Sequence, residues 1–194
     1  MSDQFTSLPT PSDEKVILQT QCWVERFVIG HQICPFAARS FDGDRIRYKV
    51  ERSPDWESCL QNLILECQLL ETQTSIDTSL LIYVDVFADF EDYLDFLYMA
   101  EELLGLQGYE GTFQLASFHP DYCFADSTVD DAANYSNRSP FPMLHLLRES
   151  QVCQAVAAHG KTEQIPVRNE AYLRQAGADS WKQLLARCQD KGGE

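Results

Sequence analysis

No run in the chain approaches the roughly 18 consecutive apolar residues that a membrane-crossing helix requires. The first thirty residues hold no basic start followed by an unbroken apolar stretch. These absences lead us to expect a cytosolic protein without a membrane partner. Basic residues are scarce too: 15 Lys and Arg stand against 30 Asp and Glu, a formal net charge of −15. An excess of carboxylate repels nucleic acid and anionic membrane surfaces, so neither is expected to bind. A small anion stays compatible with the chain only where a local pocket is cationic. Paired cysteine motifs are missing as well. The seven cysteines, Cys22, Cys34, Cys59, Cys67, Cys123, Cys153 and Cys188, show no CxxC or finger spacing. In a reducing compartment most of them read as small core hydrophobes. Also absent are a phosphate-cradling Gly-rich loop, a GxSxG nucleophile elbow and a kinase motif set.

What is present describes an α/β domain. The 194 residues, 44% of them hydrophobic, can bury a core without disulfides or metals. Residues 1–12, with two prolines and several small polar residues, read as a mobile arm, and 13–194 as a single domain. Val16, Ile17, Trp23, Val24, Phe27 and Val28 recur at helical spacing, with Gly30 placed to end that helix in a left-handed conformation. "RIRYKVE" alternates as an edge strand. Ser53-Pro54 then reads as the cap of a helix carrying Trp56, Cys59, Leu63, Cys67 and Leu70. "SLLIYVDVF" is apolar on both faces, as a central strand requires. Asp89 caps a further helix, and "GTFQLASFHP" is a third strand. Two helical crossovers predict a small, mostly parallel sheet of three or four strands flanked by helices, with an α+β ferredoxin-like sheet as the alternative.

Candidate chemistry follows from the strand ends. Ligands of open α/β sheets bind beyond the carboxyl ends of the strands, here Asp85 after the second strand and His119 after the third. A long loop, Asp121 to Asn137, leaves the same edge and delivers "NRSPFPMLHLLRE". We read this stretch as a helix from about Pro140 to Ala158, with Ser139 as N-cap and Pro140 in its first turn. Asn137, Arg138 and Ser139 would then hold an anion at the helix start, with His145 and Arg148 sharing one helical face. Cys34, followed by Pro35, is a possible nucleophile, with His119 or His145 as acid/base partner. Each choice has a plainer counterpart: a routine Ser-Pro helix start, Arg138 paired to an acidic neighbour, and Cys34 as core.

Three functional readings result. The first is an enzyme or enzyme-like domain binding a small anionic ligand, with His119 as acid/base and Cys34 as nucleophile. The second is a non-catalytic ligand-sensing or protein-interaction domain. The third is a metal-dependent enzyme using Cys34, Asp85, His119 and His145, although no local spacing fixes any two of these together. The sequence specifies no cofactor and no oligomeric state.

Trp23, "CPF" at Cys34 to Phe36, "SFHPDY" at Ser117 to Tyr122, "NRSPFPMLHLLRE" at Asn137 to Glu149 and "IPVRN" at Ile165 to Asn169 together resemble the bacterial family designated domain of unknown function 1415. The resemblance covers nearly the whole chain after the N-terminal arm. It singles out Cys34, His119, Asn137, Arg138, Ser139 and His145, and it implies no particular reaction for them.

Overall fold

Four strands and seven α-helices follow one another along the chain in a computed structural model that describes residues 10–160 and 162–191. The first nine residues of the expected mobile arm lie outside the described residues. Ser12 accepts a hydrogen bond from the Lys15 amide and so opens α1 (Asp13–Trp23), whose first turn carries Asp13 and Glu14 against the helix dipole. The helix widens into a π-helical segment, Val24–Ile29, and ends at Gly30 as expected, but not through a left-handed residue. Gly30 keeps a right-handed φ of −58°. Its missing side chain matters because a Cβ there would collide with the Arg26 carbonyl. The left-handed residue is Gln32, with φ 55°.

A short helix, α2 (Ala37–Asp42), leads to β1 (Ile46–Glu51). The next helix, α3 (Trp56–Thr72), is capped by Asp55, not by Ser53. The Asp55 carboxylate accepts from the Ser58 amide at 2.8 Å, which lowers its pKa. Cys59, Leu63, Cys67 and Leu70 form the buried face of α3, as their spacing predicts. Strand β2 (Thr78–Tyr83) is buried at every position, and Asp89 caps α4 (Phe90–Leu106) through the amides of Glu91 and Asp92. Strand β3 (Phe113–Phe118) follows. The long loop contains a 3-10 helix, Ala132–Ser136.

The expected helix from Pro140 to Ala158 is instead a strand, β4 (Met143–Arg148), followed by α5 (Glu149–His159). In "MLHLLR" the helical spacing of Leu144 and Leu147 coexists with strand alternation, and a run buried on both faces carries no period that distinguishes the two. The sheet order is β1-β2-β4-β3. Only β1 and β2 pair in parallel; β4 is antiparallel to both β2 and β3, so the sheet is mixed and not mostly parallel. The chain order β-α-β-α-β-β also differs from the β-α-β-β-α-β order of the ferredoxin-like alternative.

Helices cover both faces of the sheet. Leu81, Tyr83, Leu144 and Leu146 pack against α3 and α4 on one side. Val50, Leu80, Ile82 and Met143 pack on the other side against α1, the π-helical segment, α6 (Gln164–Ala176) and α7 (Ala178–Gln189). "IPVRN" lies in α6. Among the described residues no helix is long and apolar enough to cross a membrane.

Candidate functional site

Strand pairing decides which predicted residues meet. Ile82, Met143 and Phe118 are register partners, so the carboxyl ends of β2 and β3 and the start of β4 share one edge of the sheet. Asp85, His119, Asn137, Arg138 and Ser139 gather at that edge. Apart from Asp85, these residues direct polar atoms into the protein's own backbone.

His119 is 1% exposed, and both of its ring nitrogens are engaged. Nδ1 accepts from the Asp121 amide at 3.0 Å, so Nε2 carries the hydrogen and donates to the Phe87 carbonyl at 2.9 Å. Burial also pushes its pKa down. The ring lies between Phe90 and Tyr93, with centroids 5.1 and 5.2 Å away. Asn137 accepts the His119 amide on its carbonyl and donates Nδ2 to the Ser117 carbonyl, each at 3.1 Å. Arg138 donates Nε to the Tyr122 carbonyl at 3.0 Å and Nη2 to the Val129 carbonyl at 2.8 Å, and its guanidinium covers the Tyr135 ring. Ser139 is fully buried and donates to the Phe141 carbonyl at 2.6 Å; it caps no helix. Asp85 is exposed and pairs with Arg52 at 3.4 Å. The anion cradle expected at Asn137 to Ser139 therefore lacks its helix start.

His145 and Arg148 do not share a face, because a three-residue step along a strand reverses the side. Arg148 donates to the carbonyls of Leu70, Gln73 and Ile76, capping the end of α3. His145 points to the opposite side of the sheet, into a cavity of about 310 Å³ that also contains Cys34.

The register of the sheet builds the floor of this cavity. Leu80, His145 and Ala116 form one cross-strand row, and Thr78, Leu147 and Gln114 the next. Trp23, Val24 and Val28 form one wall; Cys34, Phe36 and Ala37 another; Val152 and Ala155 of α5 close the third side. Ala116 beside His145 leaves unfilled volume in the row. Small-molecule sites are of this kind, apolar and concave with few polar groups.

Two of the floor's polar groups, the His145 ring and the Thr78 hydroxyl, form a hydrogen-bond chain. The ring's Nε2 lies 2.7 Å from the Thr78 hydroxyl, which itself lies 2.6 Å from the Leu146 carbonyl. A carbonyl can only accept, so Thr78 gives its one hydrogen to Leu146 and receives one from His145 Nε2. Nδ1 then carries the lone pair and has no partner among the described residues. Although the ring is only half-buried where it borders the cavity, its desolvated surroundings push its pKa down to about 4. It is a neutral acceptor near pH 7.

Burial raises the pKa of the Cys34 thiol, while the amides of Phe36 and Ala37 pull the other way. Among the described residues no hydrogen bond joins this thiol to a histidine. Its position is set from α6, where Asn169 donates to the Ile33 carbonyl at 2.8 Å and Arg168 donates to the Gln32 carbonyl at 2.5 Å. Cys34, Asp85, His119 and His145 do not converge as a metal set, and no group of three such side chains among the described residues is placed to hold a metal ion. Thr78, Ala116 and Phe118 also belong to the cavity; only sheet pairing reveals them, since no local motif marks them.

A family model described as "Protein of unknown function (DUF1415)" matches residues 15–183. The chain belongs to the DUF1415 family. No curated protein and no solved structure matched in the same comparisons. In this DUF1415 member, the stretches that carry the resemblance do separate physical jobs. "IPVRN" anchors the segment before Cys34, "SFHPDY" ties His119 to Phe87, "NRSPFP" straps the long loop, and "MLHLLR" sends His145 into the cavity.

Proposed function

We propose that this protein is a ligand-binding domain whose site is the cavity over the sheet, not the carboxyl edge. One observation carries the reading: the His145 ring, whose Nδ1 has no hydrogen-bond partner among the described residues, lines an apolar cavity of about 310 Å³. A ligand N–H or O–H would satisfy this acceptor, and a net hydrogen bond of that kind contributes about 1 kcal/mol. The occupant is thus a small, mainly apolar molecule with one hydrogen-bond donor on its apolar body.

The pKa shifts favour binding over thiol catalysis. Burial raises the Cys34 thiol, while His145 falls to about 4, so proton transfer from sulfur to imidazole runs uphill at both partners. A catalytic thiol/imidazole pair needs the reverse order. Calorimetric or thermal-shift screening with small phenols, indoles and anilines tests the proposal. Donor-bearing fragments should bind, His145→Phe should weaken them about tenfold or more, and Ala116→Phe, which fills the cavity, should abolish binding. Unchanged affinity in a folded Ala116→Phe variant would refute the site. Turnover of a bound fragment that disappears in Cys34→Ala would favour the enzymatic reading instead.

A further inference from the structure

The cavity does not end at its apolar lining. A second, open depression of about 640 Å³ adjoins it, and Phe36, Ser40, Gln151 and Ala155 belong to the rims of both. A molecule seated against His145 would leave the cavity through this vestibule. The character of the lining changes at that point, since the vestibule adds Arg39, Arg45, Asp77 and Gln154.

The three charged side chains that line the vestibule among the described residues are not equivalent. Arg45 is committed to Asp77 at 2.7 Å and to the Thr74 carbonyl at 3.2 Å. Asp77 in turn accepts from Ser40 at 2.9 Å and Gln151 at 3.1 Å, and its pKa is lowered chiefly by Arg45. Its carboxylate is therefore neutralised and hydrogen-bonded within the rim. Arg39 is exposed on the same rim and makes no ion pair among the described residues. Among the described residues of the lining, two cations stand against one carboxylate and make this opening locally positive, on a chain whose formal charge is −15. Elsewhere on such a surface an anion is repelled, whereas here it meets a planar guanidinium that can hold a carboxylate through two hydrogen bonds.

We infer that the ligand is an amphipathic aryl carboxylic acid, whose donor-bearing ring occupies the cavity against His145 and whose carboxylate lies in the vestibule at Arg39. This inference rests on the cavity reading above and adds the charge and orientation of the occupant. The apolar body supplies most of the affinity, because an exposed ion pair contributes little on its own. The carboxylate supplies selection against neutral analogues of the same shape.

The test uses paired probes: 4-hydroxyphenylacetate, 3-(4-hydroxyphenyl)propionate, indole-3-acetate and indole-3-propionate, each with its primary amide. In titration calorimetry on the full chain, at least one acid should bind up to about fivefold more tightly than its amide. In Arg39→Gln that preference should vanish while the amide's affinity stays unchanged, and Arg39→Lys should restore part of it. Because Arg39 is exposed, neither variant threatens the fold. Added salt should weaken the acid and leave the amide unaffected. If no acid exceeds its amide, or if the preference survives in Arg39→Gln, the inference is overturned. Binding of the amides alone would overturn the charge assignment and leave the cavity reading standing; loss of all binding, neutral fragments included, would end both.

Discussion

His145 on β4 donates Nε2–H to the Thr78 hydroxyl on β2 at 2.7 Å, and Thr78 passes its own hydrogen to the Leu146 carbonyl at 2.6 Å. The ring is held neutral because burial pushes its pKa down to about 4 from the ordinary value near 6.5. Below pH 6.5 the unfolded chain therefore binds a proton that the folded chain refuses, and stability falls with pH until the folded ring itself titrates. At pH 5 this single group should cost about 2 kcal/mol relative to neutral pH. Urea unfolding at the two pH values should show the loss, and His145→Gln should remove much of it. The remainder belongs partly to His119, whose pKa is shifted in the same direction.

His119→Phe keeps a ring between Phe90 and Tyr93 but orphans the Asp121 amide and the Phe87 carbonyl. The Phe87 carbonyl is buried, while the Asp121 amide belongs to an exposed residue that water can reach, so the cost should be roughly 1–3 kcal/mol. Phe87 has a left-handed φ of 62° and loses a contact that holds it there. The expected result is a lower urea midpoint, accompanied by unchanged fragment binding in the cavity while the variant is folded.

Arg138→Ala should free the long loop. It removes the donors to Tyr122 and Val129 and the cover over Tyr135, at a cost of about 1–3 kcal/mol. Hydrogen exchange should speed up across residues 121–131. Arg138→Lys, with a single ammonium, should recover only part of the protection.

Gln32→Gly should stabilise the protein. Gln32 is exposed with φ 55°, and its polar contacts are made by the backbone, which glycine keeps: the amide donates to the Ile29 carbonyl at 2.9 Å and the carbonyl receives Arg168. Relief of left-handed strain, offset by glycine's greater freedom when unfolded, should yield a gain of about 0.5–1 kcal/mol. The urea midpoint should rise, with no change in its denaturant slope.

Cys22 on α1 and Cys188 on α7 lie with their sulfurs 3.1 Å apart, and both are buried. Burial pushes the Cys188 thiol up to about 12, so it should resist alkylation in the folded state. Refolding with oxidised glutathione as the oxidant should couple the pair, with two thiols losing their hydrogens to the glutathione disulfide. The link would close a loop across nearly the whole chain and raise stability by up to about 5 kcal/mol. A melting temperature that does not differ between oxidised and reduced protein would contradict this, with Cys22→Ala as the control.

Local signals were legible where a few neighbouring residues settle the outcome. The buried face of α3, the Asp89 cap of α4 and the alternation of β1 need only residues within one or two turns of one another. The cap of α3 moved from Ser53 to Asp55 because both residue types qualify and only the backbone geometry chooses between them. "MLHLLR" was misread because both faces of a central strand are covered, which erases the polar positions that would reveal a period of two. With that strand went the expected anion-binding helix start.

The sequence by itself determined the helical layers, three of the four strands and the set of residues worth locating: those spacings are local, and burial against any partner satisfies them. The tertiary structure alone decided how these residues divide. Insertion of β4 between β2 and β3 directs His145 into the same cavity as Cys34, while His119 and Arg138 remain at the sheet edge with their hydrogen bonds already used. The physical reason is that a one-residue step along a strand reverses the face a side chain occupies, and pairing register between distant segments, which no local pattern encodes, selects the neighbours it meets there.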